Sequence, residues 1–387
     1  MTERLAALHA LGADIVARHA ADVDGRARFP AEAFSALRQE RLLGISVPES
    51  EGGAGCSIGE IASCCEVLGR YCASTAMIFA MHHSQALCVI HHAGVSAWHR
   101  TFMRRMADEQ LLLASATTEA GVGGNVRTSL CAVEESDGRF SLAKQASVIS
   151  YGEDCDVILV TARRTPQAPP SDQVLVVVPK QGGWKLERVD GWDTMGMRGT
   201  CSNGYHLEAQ GAMEQIVPAP YADISAQTML PSSHIFWSAV WLGIATDALA
   251  RARAFVRAEA RRQPGSLPRG ASRLAEAAGL LQAMRSNIVS AVRRYEAALG
   301  SAEALASVPF AVAMNNLKMA SAQAAAEIVT RALRICGLAG YRNDSPFSVT
   351  RHLRDVHSAA LMVNDDRILA NTANLMLAVR SDPDLLA

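Results

Sequence analysis

The sequence predicts an α+β protein, mostly helical, built from three consecutive blocks: helices, a strand-rich module, then helices again. Three observations carry this reading. Apolar positions recur at helical spacing over residues 1–112. Short β-rich runs alternate with turn clusters over 113–227. Helical spacing then returns over 228–387. At 387 residues, 49% of them hydrophobic, the chain can bury a large core and exceeds the usual size of one compact unit.

The elements follow in order. The opening MTERLAALHALGADIVARHA is amphipathic, carries acids and reads as an ordinary helix. VPESEGGAGCS, with Pro and closely spaced glycines, breaks the first helical block as a turn region. In the middle block, DVILVTA and DQVLVVVPK read as strands, and ESDG, RTPQAPPS and KQGG as the turns between them. Long Ala/Leu/Arg-rich helices form the last block, interrupted by RRQPGSLPRGAS, with periodicity ending near Arg380. Ile235 to Thr246 is the longest apolar run, too short to span a bilayer and suited to a buried helix.

A formal net charge of −1, with arginines scattered among acids, gives no electrostatic reason to expect nucleic acid or an anionic membrane as partner. The nine cysteines form no CxxC pair and no zinc-type spacing with His, so they read as small buried hydrophobes and no metal is expected. An odd cysteine count without a secretory signal points to a reducing, cytoplasmic setting.

Five stretches carry chemistry. They are FPAEAFSALRQERLLGISVPESEGGAGCS, ATTEAGVGGN, LAKQASVISYG, WDTMGMRGTCSN, and ALRICGLAGY followed by RHLRD. A glycine-rich turn with free N–H groups and hydroxyls can cradle phosphate and flavin oxygens, although ATTEAGVGGN alone also reads as a tight β-turn. In this order the five stretches resemble the acyl-CoA dehydrogenase family. The second resembles its flavin loop V-T-E-P-G-A-G-S-D, and the third matches I-N-G-x-K-x-W-I-T-N-G in spacing.

The resemblance implies an N-terminal helical domain, a central β-barrel domain and a C-terminal four-helix bundle. It implies FAD, with Thr117, Thr118 and Gly123 in the flavin loop and Ile149 and Ser150 against the face or edge of the ring. In RRQPG, Arg261 occupies the arginine position of the family's R-x-x-F-G turn, which reaches the diphosphate across a subunit boundary. Pro264 replaces the aromatic there. Of the two glycines in Q-I-F-G-G, Gly337 is kept and Leu338 replaces the other. The resemblance further implies a homodimer or homotetramer, an acyl thioester on CoA or a carrier protein as substrate, and an electron-accepting flavoprotein as redox partner.

Dehydrogenation beside a thioester needs a base within hydrogen-bond reach of the α-carbon and donors on the thioester oxygen. Counting from Arg354-Asp355, the family's glutamate falls on Val363; its alternative place, on the first long helix of the last domain, falls on Ser233. Neither side chain is a base. Asp365 is one replacement, brought in by a small shift of the loop, against its reading with Asn364 as a helix cap. His234 is the second, against its reading as a packed core histidine; His82 and His83 are weaker candidates. Gly124 and Asn125 replace the flavin loop's Ser-Asp, and Val148 replaces a tryptophan that shields the flavin edge. That last change leaves open an oxygen-using monooxygenase on the same scaffold, and the two vacant base positions leave open a flavin-binding homologue without catalysis.

Overall fold

Apolar spacing and caps set the first helices of the computed structural model, which describes residues 2–123 and 125–378. Gly124 and Arg380 lie outside the described residues. Helix α1 (Thr2–Leu11) runs into α2 (Ala17–Arg26) through a single π turn, followed by α3 (Ala31–Gln39). Helix α4 (Ile58–Gly69) starts on a reciprocal cap: Ser57 accepts from the Glu60 amide and Glu60 accepts from the Ser57 amide. Helices α5 (Ala73–His92) and α6 (Ala97–Glu109) complete the block. His82 and His83 on α5 are fully buried. His82 accepts from the Leu113 amide and donates to Leu43 O, and His83 bonds Leu42 O and the Ser46 hydroxyl. Burial pulls His82 down to about 4, so both rings are neutral staples of the fold rather than bases.

Seven strands follow: β1 (Leu113–Ala116), β2 (Glu134–Ser136), β3 (Arg139–Ile149), β4 (Val157–Arg163), β5 (Gln173–Pro179), β6 (Trp184–Asp190) and β7 (Asn203–Ala212). They form two sheets, ordered β1-β4-β5 and β2-β3-β7-β6, with β1 and β4 parallel and the other pairs antiparallel. One face of the first sheet (Ile158, Val160, Val174, Val176) packs with Phe140, Leu142, Tyr205 and Leu207 of the second in a single core. Its other face (Val157, Leu159, Leu175, Val177) packs on Phe102, Met103 and Met106 of α6. Burial on both faces is why DVILVTA and QVLVVVP are apolar without alternation. By contrast β3 alternates exposed and buried, because its sheet meets water on one side.

The last block holds α7 (Leu230–Arg262), α8 (Ala271–Ala298) and α9 (Val308–Cys336), with α10 (Thr350–Val356) and α11 (Asp365–Met376) after them. Helix α11 lies on α9, joined by Asn315 donating to Thr372 at 3.0 Å. Helices α7 and α9 run parallel: His234 meets Met314 near their starts, while Val256 and Ile335 approach the same atom position beside Gly270 near their ends. Among the described residues no helix is long and apolar enough to cross a membrane.

Two contacts fix the first and middle blocks onto the bundle. At the crossing of α4 and α7, bare backbones meet. A Cβ on Gly243 would lie 2.2 Å from Glu66 O, and one on Gly69 would lie 2.5 Å from Val240 O. The turn carrying Met197 docks on α10 through its amide, which donates to the buried Asp355 carboxylate at 2.7 Å. Burial pushes that carboxyl up to about 6, against the opposing pull of the Met197 amide.

Gly243→Ala lowers stability by roughly 1–3 kcal/mol, the usual cost of overpacking. Gly279→Ala on α8, where a Cβ would meet nothing within 4 Å, raises it slightly. Unfolding midpoints of the two variants check this. A folded-state pKa above the free value of about 4 stabilises at low pH and loses that contribution as pH rises through the folded value. The melting-temperature difference between Asp355→Asn and the parent therefore shifts in the variant's favour from about pH 4 to 6, and is flat above.

Candidate active site

The loop after β1 carries Thr117 and Thr118, both half-buried. Thr118 bridges to the end of β3: its hydroxyl donates to Val148 O at 3.0 Å and accepts from Val148 N at 3.2 Å. The bridge falls where β3 slips by one residue against β7, between Ala146 and Ile149, so a side chain replaces a lost ladder bond. The bulge also re-aims the strand end. Ile149, expected against the ring, is fully buried and packs beneath Gly152. Its side chain packs in the core. Val148 beside it is partly exposed. Ser150 shares a hydrogen bond with Ser202 at 2.7 Å, and Ser202 one with Thr200 at 2.8 Å, a chain of hydroxyls running to the turn around Met197.

Glu119 holds the rest of the loop. Its carboxylate accepts from the Leu130 and Cys131 amides, the Ser129 hydroxyl and the Lys144 ammonium. Burial pushes this carboxyl up, but Lys144, Ser129 and the two amides together hold it below its ordinary range. Gly121 and Gly123 take positive φ (+88° and +58°) in the turn between, a backbone shape that a residue without Cβ adopts freely. The motif's lysine falls on Ala146. Lys144, two residues earlier on the same face of β3, supplies the buried cation instead.

The vacant base position at Val363 meets a residue that the motifs did not single out. Lys318 of α9 is fully buried, and its ammonium donates to Ala359 O at 2.8 Å, Val363 O at 3.3 Å and the Asp365 carboxylate. Its charge is also felt at His234. Burial pulls the ammonium's pKa below its ordinary value against the pull of Asp365. The sequence held a signal for it: Lys318 lies on the stripe of Met314, Leu317, Ser321 and Ala322, a lone cation on the apolar face of a helix.

Asn364, not Asp365, caps α11, accepting from the Asp366 amide at 2.8 Å. Asp365 is thereby free for Lys318. Val363 sits at φ +46°, strained for a β-branched residue, and turns its carbonyl to Lys318. Arg367 in the first turn of α11 donates to Gly123 O, which joins this cluster to the flavin loop.

His234 donates from Nδ1 to Met314 O at 3.1 Å, leaving Nε2 buried without a partner among the described residues. Burial pulls the ring down to about 4, so it is neutral near pH 7. Trp237, Ser238 and Trp241 continue the same face of α7 at helical spacing, and each also carries a buried donor with no protein partner among the described residues. Buried polar groups in such number need a ligand or water to satisfy them.

Arg261 and Gly337 do not join this assembly. Both are exposed, at the far ends of the parallel helices α7 and α9. Arg261 lies 27 residues beyond His234, about 40 Å along the helix. Gly337 adopts φ +57°, ψ −135°, which only glycine tolerates readily.

A glycine turn beside a hydroxyl-lined strand end, linked through Arg367 to a buried charged cluster, fits a flavin ring, the cofactor of flavin-dependent oxidoreductases. The family patterns described as acyl-CoA dehydrogenase, N-terminal domain, and acyl-CoA dehydrogenase, C-terminal domain, match residues 4–139 and 225–364. The chain belongs to the acyl-CoA dehydrogenase family.

Cyclohex-1-ene-1-carbonyl-CoA dehydrogenase of Geobacter metallireducens is 28% identical over 237 residues, which span 60% of this chain and 62% of that protein. The amino sugar nitrososynthase DnmZ of Streptomyces peucetius is 26% identical over 363 residues, 88% of this chain and 84% of that protein. Among solved structures, butyryl-CoA dehydrogenase from Megasphaera elsdenii superposes with a TM-score of 0.83 at 21% identity, over 97% of each chain. That likeness supports the three-block fold.

Lys318→Met lowers stability by about 3 kcal/mol, the lower range for breaking a buried ion pair, because Asp365 keeps access to water. Since the cation also tethers Ala359 and Val363, faster amide hydrogen exchange over residues 359–365 accompanies the loss.

Proposed function

We propose that the chain dehydrogenates an acyl thioester, carried on CoA or a carrier protein, with Asp365 as the group that accepts the substrate's α-proton. The observation that carries this reading is the Lys318 cluster. It holds a carboxylate two residues from Val363, next to the flavin loop. Lys318 orients Asp365 through one oxygen and leaves the other for substrate. His234 is the second candidate, through its unpaired Nε2. The bound flavin supplies the acceptor for the β-hydride. Thr118, Ser150 and the backbone at Ile149 form the support for its ring, and the loop stapled by Glu119 keeps water from its edge.

The cofactor in this reading is FAD. Arg261 and Gly337 are too far from the cradle of their own chain to reach its diphosphate, and they serve a neighbouring copy instead, in a homodimer or homotetramer. An electron-accepting flavoprotein reoxidises the enzyme. A second reading, an oxygen-using monooxygenase, is favoured by one feature: the partly exposed Val148 at the position of the shielding tryptophan.

Anaerobic addition of a panel of acyl thioesters separates the two. The expected outcome is loss of the flavin's visible absorbance with at least one thioester. Asp365→Asn slows that step by about 10²–10⁴-fold while flavin stays bound. No bleaching by any thioester, together with substrate-dependent oxygen consumption when reduced flavin is supplied, establishes the monooxygenase instead.

A further inference from the structure

A second cleft, of about 590 Å³, shares no residue with the flavin loop or the Lys318 cluster. The end of α2, the turn of Met195 and Arg198, α7 and the segment 343–354 enclose it. Four arginines line it, Arg198, Arg251, Arg351 and Arg354, against one lining carboxylate, Asp24.

Each guanidinium is braced on one side by the protein. Arg251 donates to Asp247 and to Ser348 O, Arg354 to Asp24, Arg351 to Tyr71 O, and Arg198 to Asp193, Thr194 O and Asp24 O. The bracing leaves N–H groups unspent. Arg251 Nη2, Arg351 Nε and Nη1, and Arg354 Nε and Nη1 have no protein acceptor among the described residues. His352 also lines the cleft. It is 6% exposed, bonds Asp247 through Nε2 at 2.7 Å, and its Nδ1 is buried without a partner among the described residues. Arg351 has no carboxylate within ion-pair distance among the described residues.

We propose that this cleft binds a small molecule bearing a phosphate or diphosphate group, at a site separate from the flavin and from the thioester. Planar forks, braced from behind by carboxylates at Arg251 and Arg354 and by a carbonyl at Arg351, match the oxygens of a phosphate, which takes two N–H bonds from one fork and others from its neighbours. One half-exposed arginine holds an anion weakly, whereas three forks converging on one cleft do not. The volume suits a ligand of nucleotide size. Arg351 and Arg354 lie on α10, the helix that precedes the segment 357–364 leading to Asp365.

The test is isothermal titration of the flavin-loaded full chain with sodium pyrophosphate at low ionic strength. The expected result is saturable binding that leaves the flavin spectrum unchanged. Arg351→Gln weakens it about tenfold or more, Arg351→Lys weakens it less, and Arg261→Gln leaves it as it was. Arg351→Lys keeps the charge and the tether near Tyr71, and so gives a folded comparison should Arg351→Gln fail to fold. No saturable binding overturns the proposal. So does binding equally tight in Arg351→Gln, abolished by Arg261→Gln, or accompanied by a change in the flavin spectrum.

Discussion

A single buried ammonium holds the segment 359–365 against α9. Burying an unpaired cation costs several kcal/mol, and Lys318 avoids that cost only because two carbonyls and a carboxylate converge on it. The requirement works in both directions. The segment 359–365 cannot move without orphaning the charge, and the charge cannot leave without freeing the segment. The strained backbone at Val363 is held in the same way, since its carbonyl is one of the acceptors.

The flavin loop rests on the same kind of arrangement in smaller form. Glu119 and Lys144 bury opposite charges and spend the remaining lone pairs of the carboxylate on amides and a hydroxyl across the loop. Two buried cations, one in a strand and one in a helix, thus shape the two walls that Arg367 links through Gly123. The doubly covered sheet β1-β4-β5 gives the first wall a rigid base, since neither of its faces is free to flex into solvent.

Much of this was legible in the chain itself. Continuous apolar runs against the alternation of β3 reported which sheet is covered on both sides, and the three-block order followed from period alone. The turn of the ATTEAGVGGN stretch was legible because its glycines and threonines are local in sequence. What period could not report was direction and partnership. Ile149 was expected at the ring, but a one-residue bulge turned it into the core, and a bulge leaves no mark in composition. Asp365 was weighed as a cap or a base; Asn364 took the cap, and its true partner lies 47 residues back in sequence. Lys318 stood on an apolar stripe where it should have drawn notice, yet its acceptors are mostly backbone carbonyls, which no side-chain pattern encodes.

The parallel run of α7 and α9 bears on how the proposed cofactor would be loaded. It puts Arg261 and Gly337 at the opposite end of the bundle from the cradle of their own chain. On the proposed reading, in which a neighbour holds the tail of each cofactor, loading follows mass action: copies that are scarce stay apart and hold the ring without its tail. On that same reading, abundance sets how much of the protein carries its cofactor.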